Sequence, residues 1–140
     1  TDFGIRFSYS LRQRTFSGVP MNTPLGRLVV YTRKMEDMAA FYCRHFGFEP
    51  IAKDDDRIVE LRPRNGGITL LLHPASKGQK IGQSLVKLVF DVEDVESFCA
   101  TARQSGLVFG PLHTADGYSF ANARDPSDNP ISVSSRAFSV

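Results

Sequence analysis

RLVVYTRKMEDMAAFYCRHFGF, residues 27–48, reads as a strand that runs straight into an amphipathic helix. Over Leu25–Tyr31 the β-branched and aromatic residues favour a strand. From Lys34 onward the apolar positions Met35, Met38, Ala39, Tyr42 and Phe46 recur at intervals of three and four, the spacing of one helical face, and Gly47 supplies a stop. The same arrangement returns sixty residues later. Lys87–Val92 (KLVFDV) is a second strand, and Val95, Phe98, Cys99 and Ala102 line a second helix that ends near Gly106. A strand-helix unit present twice predicts two stacked copies of one supersecondary unit.

Downstream of the first helix, Glu49–Lys53 reads as a short strand and Asp54, Asp55 and Asp56 as a solvated hairpin tip. A calcium loop would need oxygen ligands alternating over about twelve residues with a closing glutamate, and that pattern is absent. Arg57–Arg62 and Ile68–His73 form a hairpin around the Asn65-Gly66 turn signal, so the first unit is βαβββ. Pro74–Ser84 (PASKGQKIGQS) is polar, glycine-rich and without periodicity, which marks a linker. The second unit continues through Leu107–Phe109, a Gly110-Pro111 break, a loop with His113 and Gly117, Tyr118–Arg124, the turn DPSDNP, and Ile131–Ser135, again βαβββ. The expected class is therefore α+β. Aligning the copies pairs Arg27 with Lys87 and Tyr31 with Asp91 at an offset of 60, and Thr69, Leu71 and His73 with Ser132, Ser134 and Arg136 at an offset of 63.

Phe3, Ile5, Phe7, Tyr9 and Leu11 alternate with polar residues, as an edge strand or a leader upstream of Met21 would. Residues 1–24 are expected to be a peripheral extension, and residues 25–140 one domain with modules at about 25–75 and 85–136. A hydrophobic fraction of 41% over 140 residues suits one domain with a real core. No apolar run reaches the roughly 18 residues of a membrane span, and the first residues lack the layout of a secretory signal, so no membrane is expected and a cytoplasmic site is the default. The net charge of +2 resides in Arg6, Arg12 and Arg14 against Asp2, leaving a balanced body without the basic stripe that nucleic acid requires. Cys43 and Cys99 both fall inside helices and read as free thiols acting as small hydrophobes. No partner at motif spacing supports either as a nucleophile.

Three pieces, MEDMAAFYCRHFGFEP, FDVEDVESFCATARQSG and ARDPSDNPISV, carry a resemblance. Paired βαβββ modules, with E-D early in each helix and D-P-x-x-N-P before the last strand, resemble the vicinal oxygen chelate superfamily from about Leu25 to Ser135. That superfamily includes glyoxalase I, extradiol dioxygenases, fosfomycin-resistance transferases and bleomycin-resistance proteins. The resemblance implies a half-open eight-stranded barrel-like cleft with the helices outside, and a homodimer. In its metal-using members the ligands come from the first residue of a module's first strand and from a last strand. Here those positions hold Arg27, Lys87 and Ser132 where histidine, histidine and glutamate are typical. A one-residue shift to Gly26, Leu28, Val86, Leu88, Ile131 or Val133 is no better. Two permanent cations repel a divalent ion, so no metal or other cofactor is expected and metal-dependent glyoxalase or dioxygenase chemistry is disfavoured.

Strand alternation combined with the family's ligand parity points Arg27, Val29, Tyr31, Lys87, Val89 and Asp91 into the cleft, joined by Thr69, Leu71, His73, Ser132, Ser134 and Arg136. Leu28, Val30, Leu88, Phe90, Ile131 and Val133 pack under the helices. The expected ligand-binding set is Arg27, Tyr31, Thr69, His73, Lys87, Asp91, Ser132 and Ser134. In it the two cations hold a small anionic or oxygenated ligand by charge-assisted hydrogen bonds, and the hydroxyls orient it. The competing reading pairs Lys87 with Asp91 and Arg27 with another acid. His73 with Glu60 is a candidate acid-base pair or non-standard metal site, whereas His45 reads as solvent-facing and His113 as a loop residue. Two function classes stay open. One is a bleomycin-resistance-like binding module. The other is an enzyme, either metal-free and using Tyr31, His73 or Asp91, or a lyase or oxidoreductase with a non-standard metal. A scaffold without a ligand is the third possibility; the missing ligand set favours the binding module.

Overall fold

Alternation along the opening stretch becomes alternating burial in the strand it forms, β1 (Arg27–Thr32), which ends on a buried Thr32. In this computed structural model, which describes residues 23–52 and 56–139, the chain then turns directly into α1 (Met35–Phe46). The Thr32 hydroxyl accepts the Lys34 N–H at 2.9 Å, and Glu36 and Asp37 in the first turn complement the helix dipole. Gly47, at φ 72°, closes the helix by donating its N–H to the Tyr42 carbonyl.

The strands β2 (Phe48–Ala52), β3 (Val59–Pro63) and β4 (Thr69–Pro74) complete the first unit. Their sheet has the order β1-β4-β3-β2, with β1 and β4 parallel. Met38 and Tyr42 of α1 meet Leu61, Leu70 and Leu72 of the sheet in a core without solvent access to speak of. The second unit repeats the plan with β5 (Leu88–Asp91), α2 (Val95–Gln104), β6 (His113–Ala115), β7 (Tyr118–Arg124) and β8 (Pro130–Ser134), in the order β5-β8-β7-β6. Asp94 caps α2, its Oδ1 accepting the Ser97 N–H at 3.0 Å. The expected pair of βαβββ modules is therefore present as two four-stranded mixed sheets that are not closed into one.

Two sequence readings change. Leu107–Phe109 is not a strand: the Leu107 N–H is taken by the Ala102 carbonyl behind α2, Leu107 is buried, and Phe109 packs on Phe98. The ladder residues lie later, at His113–Ala115. The last strands also align differently. Leu28 and Val29 face Leu70 and Leu71, while Leu88 and Val89 face Ile131 and Ser132, so Leu71 matches Ser132 and His73 matches Ser134. The shift from the expected pairs is two residues, which preserves parity and hence the inner and outer sets. The readings of residues 1–20, of Lys53, and of Asp54 and Asp55 lie outside the described residues; Asp56 does close a local turn, its carboxylate accepting the Ile58 N–H.

The two units are joined through α1 and the DPSDNP turn. Phe46 stacks on Phe90 with centroids 3.9 Å apart, which fuses the two cores. Asp125 Oδ1 accepts the N–H groups of Ser127 and Asn129, and Oδ2 accepts Asn129 Nδ2 and, from the other unit, the Tyr42 hydroxyl at 2.7 Å. Burial, and then the neighbouring Asp125 charge, pushes the Tyr42 phenol far above its ordinary pKa, so it remains a donor. Beside it the Thr32 and Ser127 hydroxyls share a buried 2.6 Å hydrogen bond. No helix among the described residues is long and apolar enough to cross a membrane.

Candidate functional site

Among the described residues β1 and β5 are edge strands of their sheets, each with one backbone edge that no described strand pairs. Leu28, Val86 and Leu88 line cavities on both sides of this seam. The smaller cavity, about 390 Å³, also takes Val29, Tyr31 and the linker residues 79–84. The larger, about 710 Å³, is walled by Phe46, Phe48, Phe90 and Phe98, with His45, Lys87 and Asp91 also in its lining.

The first unit presents its inner residues openly. Arg27 is exposed at the start of β1, opposite Thr69 on β4. Tyr31 is about half exposed and lies 5.3 Å, ring to ring, from His73, its register partner. His73 Nδ1 lies 2.8 Å from the Pro74 carbonyl; a carbonyl only accepts, so Nδ1 carries the proton, and in the neutral ring Nε2 is the acceptor. Glu60 does not join His73. It is opposite Leu71 in the register and forms an ion pair with Arg62.

The second unit is different. Lys87 and Asp91 are exposed, but Ser132 and Ser134 are only 4% and 6% accessible. Their register neighbours are larger: Val89 and Asn122 flank Ser132, and Asp91 and Phe120 flank Ser134. A short side chain between longer ones sinks below the surface, so these hydroxyls lie under the face rather than on it. Ser134 Oγ is already taken by the Arg136 N–H. Lys87 does not pair with Asp91. Its Nζ donates to Asn122 Oδ1 at 3.0 Å, and among the described residues neither Lys87 nor Arg27 forms an ion pair.

The donor set does not fit a metal ion. The three family ligand positions carry a guanidinium, an ammonium and a buried hydroxyl. Among the described residues no group of three His, Cys, Asp or Glu side chains is placed to hold one. Burial raises the pKa of both Cys43 and Cys99, which disfavours the thiolate.

The other histidines depart from their sequence reading. His45 is half-buried in the last turn of α1, edge-on to Phe41, and lines the larger cavity. Desolvation, and then Arg44, lowers its pKa. His113 is in β6 and stacks on Phe120. Two participants escaped the sequence reading altogether. Asn122 receives Lys87 from across the sheet, and the linker is a wall of the smaller cavity rather than a tether. Only the strand register could have revealed the first.

A family model for the Glyoxalase/Bleomycin resistance protein/Dioxygenase superfamily matches residues 25–133. No curated protein matches the chain in sequence. Among solved structures, TnmS3, an antibiotic binding protein from Streptomyces sp. CB03234, superposes with a TM-score of 0.69 at 19% identity, over 82% of this chain and 97% of that one. Lactoylglutathione lyase from Agrobacterium tumefaciens gives 0.65 at 19% identity, over 84% and 96%. A glyoxalase/bleomycin resistance protein, also from Streptomyces sp. CB03234, gives 0.62 at 20% identity, over 79% and 98%.

Proposed function

This chain belongs to the glyoxalase/bleomycin resistance protein/dioxygenase superfamily, and from that membership we propose that it is a metal-independent binding module. It would take a small anionic or oxygenated ligand between its two sheets, as a homodimer in the cytoplasm. The observation that carries this reading is the pair of exposed cations, Arg27 and Lys87, at positions where the fold's metal-using members place histidines. Neither is neutralised by an acid among the described residues, so each keeps its charge available for a carboxylate or phosphate. Tyr31, Thr69 and the Nε2 of His73 offer hydrogen-bonding groups on the same face, and Asp91 selects against ligands with a second anionic end near β5. Ser132 and Ser134 lie beneath the face, covered by their larger neighbours, and support Val89 and Asp91 rather than meet the ligand. Antibiotic binding by one protein of similar fold is in keeping with a binding role.

The test combines metal analysis of the purified protein with a thermal-shift panel of carboxylates and phosphates, run with and without chelator. One class of acid should raise the melting temperature regardless of chelator, since a ligand at a hundred times its Kd adds about 2.7 kcal/mol. Arg27→Ala and Lys87→Ala should each lose that shift while remaining folded. Stoichiometric zinc, iron or manganese in the purified protein, or a shift that chelator abolishes, would overturn the proposal.

A further inference from the structure

The segment between the modules is fastened at two points. Arg33, directly after β1, donates through Nη2 to three carbonyls of this segment, those of Ser76 (3.0 Å), Lys77 (3.3 Å) and Gln79 (3.0 Å). Further on, Gly82 has a φ of 82° and comes so close to the DPSDNP turn that a Cβ built there would stand 3.1 Å from the Cβ of Asp128. The positive φ favours glycine here, and the contact with Asp128 is tight. Residues 79–84 are consequently held as a strap over the smaller cavity, whose opposite wall is Val29 and Tyr31.

Two amides in that lining have their orientation set by hydrogen bonds. Gln79 Oε1 accepts the Ser76 N–H at 2.7 Å, which turns its NH2 into the available end. Asn129 Nδ2 donates to Asp125 Oδ2 at 2.9 Å, which leaves its Oδ1 as the available acceptor. Among the described residues no carboxylate lines the cavity, and the one charged lining residue, Lys80, is exposed. One cavity is thus lined by an amide donor and an amide acceptor of fixed sense and by a half-exposed phenol ring.

We propose that the strap, Tyr31 and Asn129 form a subsite for a neutral planar ring carrying an adjacent N–H donor and carbonyl acceptor, a lactam or nucleobase-type edge, with Arg33 as the positioning residue that holds the strap. The subsite rests on the binding reading above and narrows the ligand at this end of the cleft. The ring lies against Val29 and Tyr31, its carbonyl meets the Gln79 NH2 and its N–H meets Asn129 Oδ1.

The probe is 2-quinolone, which has the lactam edge, compared with quinoline, which lacks the N–H and the carbonyl. Both are titrated into isotope-labelled full-length protein and followed by NMR. 2-Quinolone should shift the Gln79 and Asn129 side-chain amides and bind at least about tenfold more tightly than quinoline, a difference of about 1.4 kcal/mol. Gln79→Leu should remove that preference, and Arg33→Ala should remove it while speeding hydrogen exchange across residues 79–83. Glu60→Ala, outside both sites, should leave it intact. Equal binding of the two probes, a preference that survives Gln79→Leu, or no 2-quinolone binding would overturn the subsite. Benzoate, titrated in parallel, separates the two proposals. If benzoate binds in an Arg27-dependent manner while 2-quinolone stays silent, the subsite fails and the anion reading stands; if both are silent, both fail.

Discussion

The first strands of the two sheets are alike in exposure, Val29 and Tyr31 being 47% and 46% exposed along β1 and Val89 54% along β5, whereas the last strands differ: Leu71 and His73 of β4 are half-buried and every residue from Ile131 to Ser134 of β8 is buried. The backbone plan is the same in both, down to the parallel pairing of the first and last strands of each unit. The contrast comes from side-chain size. His73 and Leu71 rise from β4 at the positions where β8 carries Ser134 and Ser132, and the larger neighbours of those serines close over them. A duplicated fold has therefore kept its framework while its last strands diverged, β4 standing half-open and β8 closed over, which is why the ligand contacts lean on the first unit and on the strap.

The largest effect is expected where the two units are locked together, because the contrast between faces presupposes a fixed frame. Asp125 satisfies two backbone N–H groups, Asn129 Nδ2 and the Tyr42 hydroxyl from a nearly inaccessible position. Asp125→Ala leaves those donors unpaired and should cost about 3 kcal/mol in urea unfolding. A loss below about 1 kcal/mol would mean that the turn does not hold α1. Glu60→Ala is the control, since its partner Arg62 is exposed and surface pairs contribute little.

A paired substitution tests the contrast itself. Ser134→Leu forces a larger side chain into a filled site and displaces the hydroxyl that accepts the Arg136 N–H, so it should cost about 2 kcal/mol. The equivalent change in the first unit, His73→Leu, enlarges nothing and sits on the open face, so it should cost less than about 1 kcal/mol. Equal losses in equilibrium unfolding would erase the distinction between open and closed faces.

How far the sequence reveals this arrangement depends on the range of the interaction concerned. The β1-α1 unit is legible because its signals are local: alternation, a three-four period and the stop at Gly47. The outer set, Leu28, Val30, Leu88, Phe90, Ile131 and Val133, follows from parity alone and packs as expected. The buried state of Ser132 and Ser134 is not legible, because it depends on neighbours brought from β5 and β7 by a register that composition does not reveal. The missing Leu107–Phe109 strand has a similar origin, since an apolar triplet serves equally well as a strand or as the plug behind a helix end. The strap is the least legible of all. Arg33 reaches carbonyls more than forty residues away, and a polar glycine-rich segment looks the same whether tethered or free.

The smallest expected effect concerns His45, on the edge of the larger cavity. Its pKa is lowered from 6.5 in the folded chain, first by desolvation against the α1 end and then by Arg44. A base whose folded pKa is depressed binds fewer protons folded than unfolded near its ordinary value. Its contribution to stability is therefore complete above about pH 6.5 and is lost as pH falls from there through the lower folded value. Phe41, edge-on at 5.0 Å, supplies the apolar side of this environment, so the effect belongs to the first unit and has no counterpart at Ser105, the matching position after α2. His45→Gln keeps the polar edge but cannot gain a proton, and should flatten the decline in melting temperature between pH 7 and 5 by about 1–2 °C, while leaving it unchanged at pH 8. An unaltered slope would mean that the ring already meets water fully, and that the larger cavity is as open at this corner as the platform beside β1.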